Sequence, residues 1–163
     1  MNGFVPAIVA VMLAEMGPRA LLYAEARRQE IALWLIAAAV FFAGAAGVFA
    51  GRTMNAWATA LMIAIALLFA AIGQLQRVAP ATGAIRTLGA FWRGGVLILV
   101  FALSTRFGPF AASFGGLAGM AAAAILTRVL LNNGVPMQPI RWGAAAVMIV
   151  TAGFLAVGAL RLV

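Results

Sequence analysis

The stretch Ala14-Glu15-Met16-Gly17-Pro18-Arg19 places an acid, a proline and a base inside an apolar segment near the start of the chain. A carboxylate at the centre of a membrane helix costs roughly 2.5–3.5 kcal/mol on insertion scales, so it requires a partner or a function. Proline has no N–H, so Pro18 cannot donate to the carbonyl of Ala14 and opens the helix at this turn. The function predicted for this chain therefore depends on what surrounds Glu15.

The composition of the chain is typical of an integral membrane protein. Of its 163 residues, 66% are hydrophobic and 9% are charged, and the mean hydropathy is +1.13. An ordinary soluble domain is about 45–50% apolar and about one quarter charged. Cysteine and histidine are both absent, which excludes disulfides, thiolate metal sites and a Cys–His or Ser–His nucleophile. We therefore expect no enzyme activity.

The net charge of +8 comes entirely from arginine, because the chain contains no lysine. The arginines fall between the apolar segments, where membrane topology and anionic lipid headgroups explain them better than nucleic acid does. We expect the lipid bilayer as the main partner and no nucleic acid. A homo-oligomer and a membrane-protein partner both remain open.

Six apolar segments approach the length of about 20 residues that a membrane-spanning helix requires. They are residues 4–24, 31–50, 54–73, 87–105, 109–130 and 140–160. By the positive-inside rule, the arginine-rich loops 25–30, 74–86 and 128–141 are cytoplasmic and both termini lie on the other side. We expect a multi-pass protein of the bacterial inner membrane, without a cleaved signal peptide because no basic region precedes the first segment.

The second half of the chain repeats features of the first. An offset of 72 matches the second segment with the fifth and pairs Gly47 with Gly119, and an offset of 85 matches the third with the sixth and pairs Trp57 with Trp142. The first and fourth segments match more weakly, at an offset of 76. Three helices per half require opposite orientations of the two halves. The sequence predicts an all-α membrane protein of about six transmembrane helices, arranged as two inverted three-helix repeats (residues 1–77 and 87–163) with a linker at 78–86.

Glycines suited to helix packing recur in the second segment of each half. Gly47 and Gly51 are four residues apart, as are Gly115 and Gly119. This spacing lets helix backbones approach closely in lipid. Packing within the monomer is the simpler interpretation, and a dimer face is the alternative.

The polar residues in or beside the other segments have a simple expected role. We expect them to bond backbone carbonyls or to lie at helix interfaces rather than to line a transport path. These residues are Thr59, Gln74, Gln76, Ser104 and Thr151.

Glu15 supports two interpretations. Counted from Phe4 at about 1.5 Å per residue, it lies near the membrane midplane. Its carboxylate and the Ala14 carbonyl, with close approach allowed by Gly17, would form an oxygen pocket for calcium, manganese or magnesium. A buried carboxylate of this kind can exchange a proton for a cation. In the alternative, Arg19 lies four residues after Glu15 and neutralises it, which makes the pair structural.

The run Glu15-Met16-Gly17-Pro18-Arg19-Ala20 resembles the signature E-x-G-D-[KR]-[ST] of the Gdt-type cation–proton exchangers, which transport manganese and calcium. It keeps the acid, the glycine and the base, with Pro18 and Ala20 in place of the aspartate and the hydroxyl residue. The resemblance covers nearly the whole chain. It implies two three-helix repeats, each with one signature in its first helix, and a cation site formed by acids from both.

The second copy of the signature lacks an acid. At the offset of 76 it falls on Phe91, Trp92, Arg93, Gly94 and Gly95, and an alternative register on residues 103–106 also supplies none. The resemblance therefore implies a Mn²⁺/Ca²⁺–proton exchanger with a degenerate site. Glu15 is its only signature acid and metal ligand, and the divalent cation is cargo rather than a resident cofactor. The alternative function is a non-transporting accessory or scaffold subunit that retains the fold.

Overall fold

The computed structural model describes residues 3–17, 20, 30–76 and 95–161, and the regular elements within these ranges are all α-helices. Four of the helices are long and apolar enough to cross a membrane. For the part of the chain that the structure describes, this is consistent with the predicted all-α membrane protein. In chain order the helices are α1 (Phe4–Glu15), α2 (Glu30–Thr53), α3 (Ala56–Leu75), α4 (Val96–Phe107), α5 (Pro109–Asn132) and α6 (Met137–Leu160).

The four long helices, α2, α3, α5 and α6, begin and end within three residues of the predicted segments. In the first and fourth segments, α1 ends at Glu15 and α4 begins at Val96, and residues 18–19, 21–24 and 87–94 of these segments lie outside the described residues. Each of these two helices has 12 residues and is about 18 Å long, which is less than a hydrocarbon core of about 30 Å. The predicted linker at 78–86 lies outside the described residues.

Helices from the two halves of the chain pack against each other in pairs. The most extensive contacts join α1 with α5, α2 with α4, and α3 with α6. Gly115 lies against Phe4, and Gly119 lies one turn further along against Ile8. Because the contact advances by one turn on both helices, α1 and α5 run in the same direction.

The same reasoning gives the directions of the remaining helices. Gly47 and Gly51 of α2 lie against Phe101 and Thr105 of α4, so α2 and α4 are also parallel. In contrast, α2 and α5 are antiparallel. Ser113 of α5 donates a hydrogen bond to the Val40 carbonyl of α2 at 3.4 Å. Four residues later in α2, Gly44 lies against Pro109, the first residue of α5. It follows that α1 and α4 run in opposite directions.

The third helices of the two halves are antiparallel as well. Arg141, in the second turn of α6, donates a hydrogen bond to the carbonyl of Gln76 just beyond the end of α3. Since α3 and α6 are in contact along much of their length, the start of one lies beside the end of the other.

The interior of the bundle is built mainly from alanine, valine and leucine. The outer surface carries large apolar side chains, such as Phe42 at 78% exposure and Phe154 at 76%. Exposed apolar area on this scale is typical of a surface that contacts lipid or a partner. Among the described residues, polar side chains are buried at a few positions: Glu15, Thr59, Gln74, Ser104, Ser113 and Thr127.

Candidate functional site

Glu15 is the last residue of α1, and its side chain is fully buried. The helix ends here because the sequence places a proline three residues later, which has no N–H for the Ala14 carbonyl. Met16 leaves the helix with ψ 123°, and Gly17 follows with φ +119°. This left-handed φ is accessible to glycine at little cost. The sequence Gly17-Pro18 thus explains why a buried acid lies at a helix end.

Gln74, from the last turn of α3, bonds the carbonyls at this end of α1. Its Nε2 donates to the carbonyl oxygen of Leu13 at 2.9 Å and to that of Ala14 at 2.5 Å. The Gln74 side chain is only 2% exposed, so water does not compete strongly for these bonds. The Ala14 carbonyl, predicted as an oxygen ligand beside Glu15, therefore already accepts an amide hydrogen bond in this conformation.

Thr127 of α5 accepts a hydrogen bond from the backbone just after the end of α1. The Gly17 N–H donates to Oγ1 of Thr127 at 3.2 Å, and Thr127 is fully buried. A Cβ at Gly17 would lie 3.0 Å from Cδ of Arg141, so the glycine also leaves room for this side chain. Any other residue at position 17 would be strained in φ and crowded by Arg141.

Arg141 of α6 joins the break to the end of α3. Its Nη2 donates to the carbonyl oxygens of Gln74 and, at 2.7 Å, of Gln76. The carbonyls at a helix C-terminus carry partial negative charge, which favours a cation there. Glu15, Gln74, Thr127 and Arg141, which we call the polar cluster, therefore bring together α1, α3, α5 and α6.

The polar cluster lies toward one end of the bundle. Gln74 is the second-last residue of α3, and Arg141 is the fifth residue of α6, so both lie within about 8 Å of a helix end. Counting from Phe4 predicted the midplane because it assumed that α1 begins at the membrane surface. Phe4 instead lies opposite Gly115, nearly two turns into α5.

The acidic residues set a limit on metal binding. The chain has three acids, and all of them precede residue 31. The described ranges contain no group of three or more His, Cys, Asp or Glu side chains that could hold a metal ion. Calcium normally takes six to eight oxygen ligands, including several carboxylates. Glu15 alone does not supply such a set.

Several predicted site residues cannot be compared with the structure. Arg19 lies outside the described residues, so its pairing with Glu15 stays a prediction. The same holds for four of the five residues assigned to the second signature, Phe91, Trp92, Arg93 and Gly94. The fifth, Gly95, precedes α4 with φ +76° and packs against the backbone of Ala70 in α3.

The alternative register for the second signature, on residues 103–106, falls within α4. There Ser104 is almost fully buried. Its hydroxyl donates to the Phe101 carbonyl at 2.8 Å, and its side chain lies against Gly47 of α2. This position therefore carries a hydroxyl group packed at a helix contact.

The four predicted packing glycines all lie at contacts between helices of the same chain. Gly47 and Gly51 meet α4, and Gly115 and Gly119 meet α1. This geometry agrees with packing inside the monomer, the simpler of the two interpretations.

The expectation that isolated polar side chains bond backbone carbonyls is confirmed for four of the five residues. Thr59 bonds Ala56, and Thr151 bonds Val147, each within its own helix at 2.8 Å. Ser104 and Gln74 bond carbonyls as described above. Sequence reasoning did not connect Gln74, Thr127 or Arg141 with Glu15, because they belong to helices distant in the sequence.

Comparisons with known proteins do not assign the chain to a family. No protein-family model, curated protein or solved structure matches it.

Proposed function

We propose that this protein is a transporter-like integral membrane protein in which Glu15 exchanges a proton for a cation at the junction of two inverted halves. The observation that carries the proposal is a fully buried carboxylate at the end of an interrupted helix, with residues of α3, α5 and α6 around that break. Ionisable residues inside membrane helices are costly and mark ion or proton pathways. Interrupted helices at a repeat interface are a recurrent setting for such sites.

The helix directions support the inverted arrangement. Each helix of the first half runs opposite to its counterpart in the second half, as two copies of a three-helix unit in opposite orientations require. Counterparts also match in length, with 12 residues in α1 and α4 and 24 in α2 and α5. Gly119 packs on α1 as its repeat partner Gly47 packs on α4. In this correspondence Ser104, which lies against Gly47, takes the position of Val11, which lies against Gly119, and not the position of the acid.

The number of acidic residues in the polar cluster limits the charge of the cation that it could exchange. Ionised Glu15 carries one negative charge and Arg141 one positive charge, so a bound monovalent cation leaves the polar cluster at +1, as a bound proton does, whereas a divalent cation leaves it at +2. Mn²⁺ or Ca²⁺, the cargo implied by the resemblance, would require more oxygen ligands and more negative charge than these residues provide. We therefore propose exchange of one proton for one monovalent cation as the charge-balanced reaction at Glu15, with divalent exchange as the comparison.

Proteoliposomes that contain a pH-sensitive dye test this function. Gradients of Na⁺, K⁺, Mn²⁺ or Ca²⁺ are imposed in turn, and proton movement is followed for the natural protein and for Glu15→Gln, which keeps the shape of the side chain and removes its charge. We expect proton movement with a monovalent gradient and its loss in Glu15→Gln. Glu30→Gln, the same chemical change at the first residue of α2, serves as the control. Flux that is indifferent to Glu15→Gln contradicts the proposal.

A non-transporting accessory subunit is the second candidate, and one observation favours it. The carbonyls and the N–H exposed by the break in α1 are already bonded by Gln74 and Thr127, as expected for a cluster that only holds four helices together. In this case no cation gradient moves protons, and Glu15→Gln lowers stability without changing flux. The protein would also co-purify with a membrane-protein partner in mild detergent.

A further inference from the structure

A groove of about 310 Å³ lies between α1 and α6, with α3 and α4 forming its floor. It follows α1 from Pro6 to Leu13, a distance of about 10 Å along the helix axis. Its volume is at the lower end of the range for small-ligand pockets, about 300–1,000 Å³. Glu15 does not line it, so this groove is separate from the polar cluster.

The walls of the groove are almost entirely apolar and open toward the outside of the bundle. Val9 of α1 and Val147 of α6 are 44% and 52% exposed. Because α6 is long and apolar enough to span a membrane, this opening would face acyl chains rather than water. An apolar groove open to the bilayer is filled by lipid or by an apolar ligand.

Among the residues that the structure describes, one charged group lines the groove, at its end near Pro6. Arg106 belongs to the last turn of α4, is exposed, and lies 5.8 Å from the centre of the Phe107 ring. The other polar lining residue is Thr151, whose hydroxyl already donates to the Val147 carbonyl at 2.8 Å. Its described lining residues include no acid. The ligand that matches this surface has an apolar chain and an anionic group at one end.

We propose that the groove binds one acyl chain of an anionic phospholipid, whose headgroup phosphate contacts Arg106. The arginine lies at the end of a bundle helix, where headgroups are found. Arg52 occupies the same end, because α2 and α4 are parallel and Gly51 contacts Thr105. Basic pockets between membrane helices bind the headgroups of anionic lipids, and each arginine near an anionic surface contributes about 1 kcal/mol.

Native mass spectrometry of the detergent-purified protein tests the proposal, with phosphatidylglycerol and phosphatidylcholine as probes. We expect one phosphatidylglycerol to be retained, with roughly fivefold preference over phosphatidylcholine, the effect of about one arginine. Arg106→Gln should remove the preference. Arg52→Gln is the matched control, since Arg52 also ends a helix and lies 5.5 Å from a phenylalanine ring but does not line the groove.

Two variants that fill the groove test the position of the acyl chain. Ala10→Phe places a ring in the groove, and Leu155→Trp does so from the opposite wall if the first variant folds poorly. Either should abolish retention of phosphatidylglycerol while Arg106 is still present. Retention that survives both variants, equal losses in Arg52→Gln and Arg106→Gln, or equal binding of the two lipids overturns the proposal. So does tighter binding of oleate than of phosphatidylglycerol, which would make a free fatty acid the occupant.

Discussion

Within the polar cluster, the amide group of Gln74 bonds two carbonyls of α1. Leu13 and Ala14 both accept from its Nε2, at a helix end where the regular donors are missing. A buried carbonyl that loses its partner costs about 1–3 kcal/mol. Interhelical hydrogen bonds measured in membrane proteins average about 0.6 kcal/mol. Because the two carbonyls are buried, we expect the loss of stability to be larger than this average.

Gln74→Leu should therefore destabilise the protein by about 1–3 kcal/mol, since leucine fills similar space and donates no hydrogen bond. The measurement is the free energy of unfolding in mixed micelles. Gln76→Leu is the matched control, because Arg141 bonds only the backbone carbonyl of Gln76 and the side chain is exposed. We expect a change of less than about 0.5 kcal/mol for the control. Equal effects of the two variants would show that the amide bonds to α1 contribute nothing.

Thr127→Val tests the hydroxyl group of Thr127 without changing the size of the side chain. Valine keeps the volume but leaves the buried Gly17 N–H without its acceptor, at a cost of about 1 kcal/mol. Thr127→Ser keeps the oxygen and loses a methyl group, which also costs about 1 kcal/mol through the cavity it leaves. Amide hydrogen exchange distinguishes the two: the Gly17 N–H should exchange faster in Thr127→Val and remain protected in Thr127→Ser. Protection that is unchanged in Thr127→Val contradicts the assigned bond.

The residues of the site differ in how far the sequence reveals them. Glu15 is predictable as a candidate site residue, because an acid beside a proline without an N–H is a local feature of an apolar segment. Thr127 and Arg141 are not, because their positions depend on how α5 and α6 align with α1. Their alignment is set by helix contacts such as Gly115 on Phe4. Counting along a single helix cannot reveal such contacts, and it therefore did not show that Glu15 lies toward one end of the bundle.

At the scale of whole helices, close backbone contact fixes how the two halves fit together. Gly115 and Gly119 bring α5 against α1, and Gly47 and Gly51 bring α2 against α4. In lipid, packing of this kind replaces the hydrophobic effect as the main source of helix association. The alignment of α1 with α5, and hence the assembly of the polar cluster, depends on these glycines.

Gly119→Ala should separate α1 from α5. A Cβ at this position would lie 2.6 Å from the Ile8 carbonyl oxygen and 3.0 Å from Cβ of Val11. Because the first contact is with backbone, the helices must move apart, at a cost of about 1–3 kcal/mol. Gly153→Ala in α6 is the control: nothing lies within 4 Å of its Cβ position, so alanine should be neutral or stabilise the helix by up to about 1 kcal/mol. Thermal unfolding in detergent measures both, and a lower Tm for the control variant would contradict this assignment.

Hydropathy predicts the bounds of some of these helices and not those of others. The bounds of α2, α3, α5 and α6 follow from apolar length, because these helices expose apolar side chains along most of their length. Apolar length does not predict the end of α1 at Glu15 or the start of α4 at Val96, since apolar residues continue on both sides of each break. The breaks coincide with positive φ at Gly17 and Gly95, a property of backbone conformation that hydropathy does not contain.

At the scale of the whole molecule, the helix directions bear on the proposed inverted arrangement of the two halves, for which a parallel duplication is the alternative. In a parallel duplication, the ends of α2 and α5 would lie on the same side of the membrane. Here α2 and α5 are antiparallel, so Thr53 at the end of α2 and Asn133 just beyond α5 lie at opposite ends of the bundle. The end of α4 lies beside the end of α2, since Gly51 contacts Thr105.

Single cysteines can report these positions without a background signal, because the chain contains no cysteine. We expect a membrane-impermeant maleimide to label Thr53→Cys and Arg106→Cys from one side of the membrane, and Gln76→Cys and Asn133→Cys from the other. All four side chains are exposed, so a failure to label would reflect sidedness rather than burial. The positive-inside rule predicts that Gln76 and Asn133 face the cytoplasm. Labelling of Thr53→Cys and Asn133→Cys from the same side would rule out the inverted arrangement, and with it the position of Glu15 at a repeat interface.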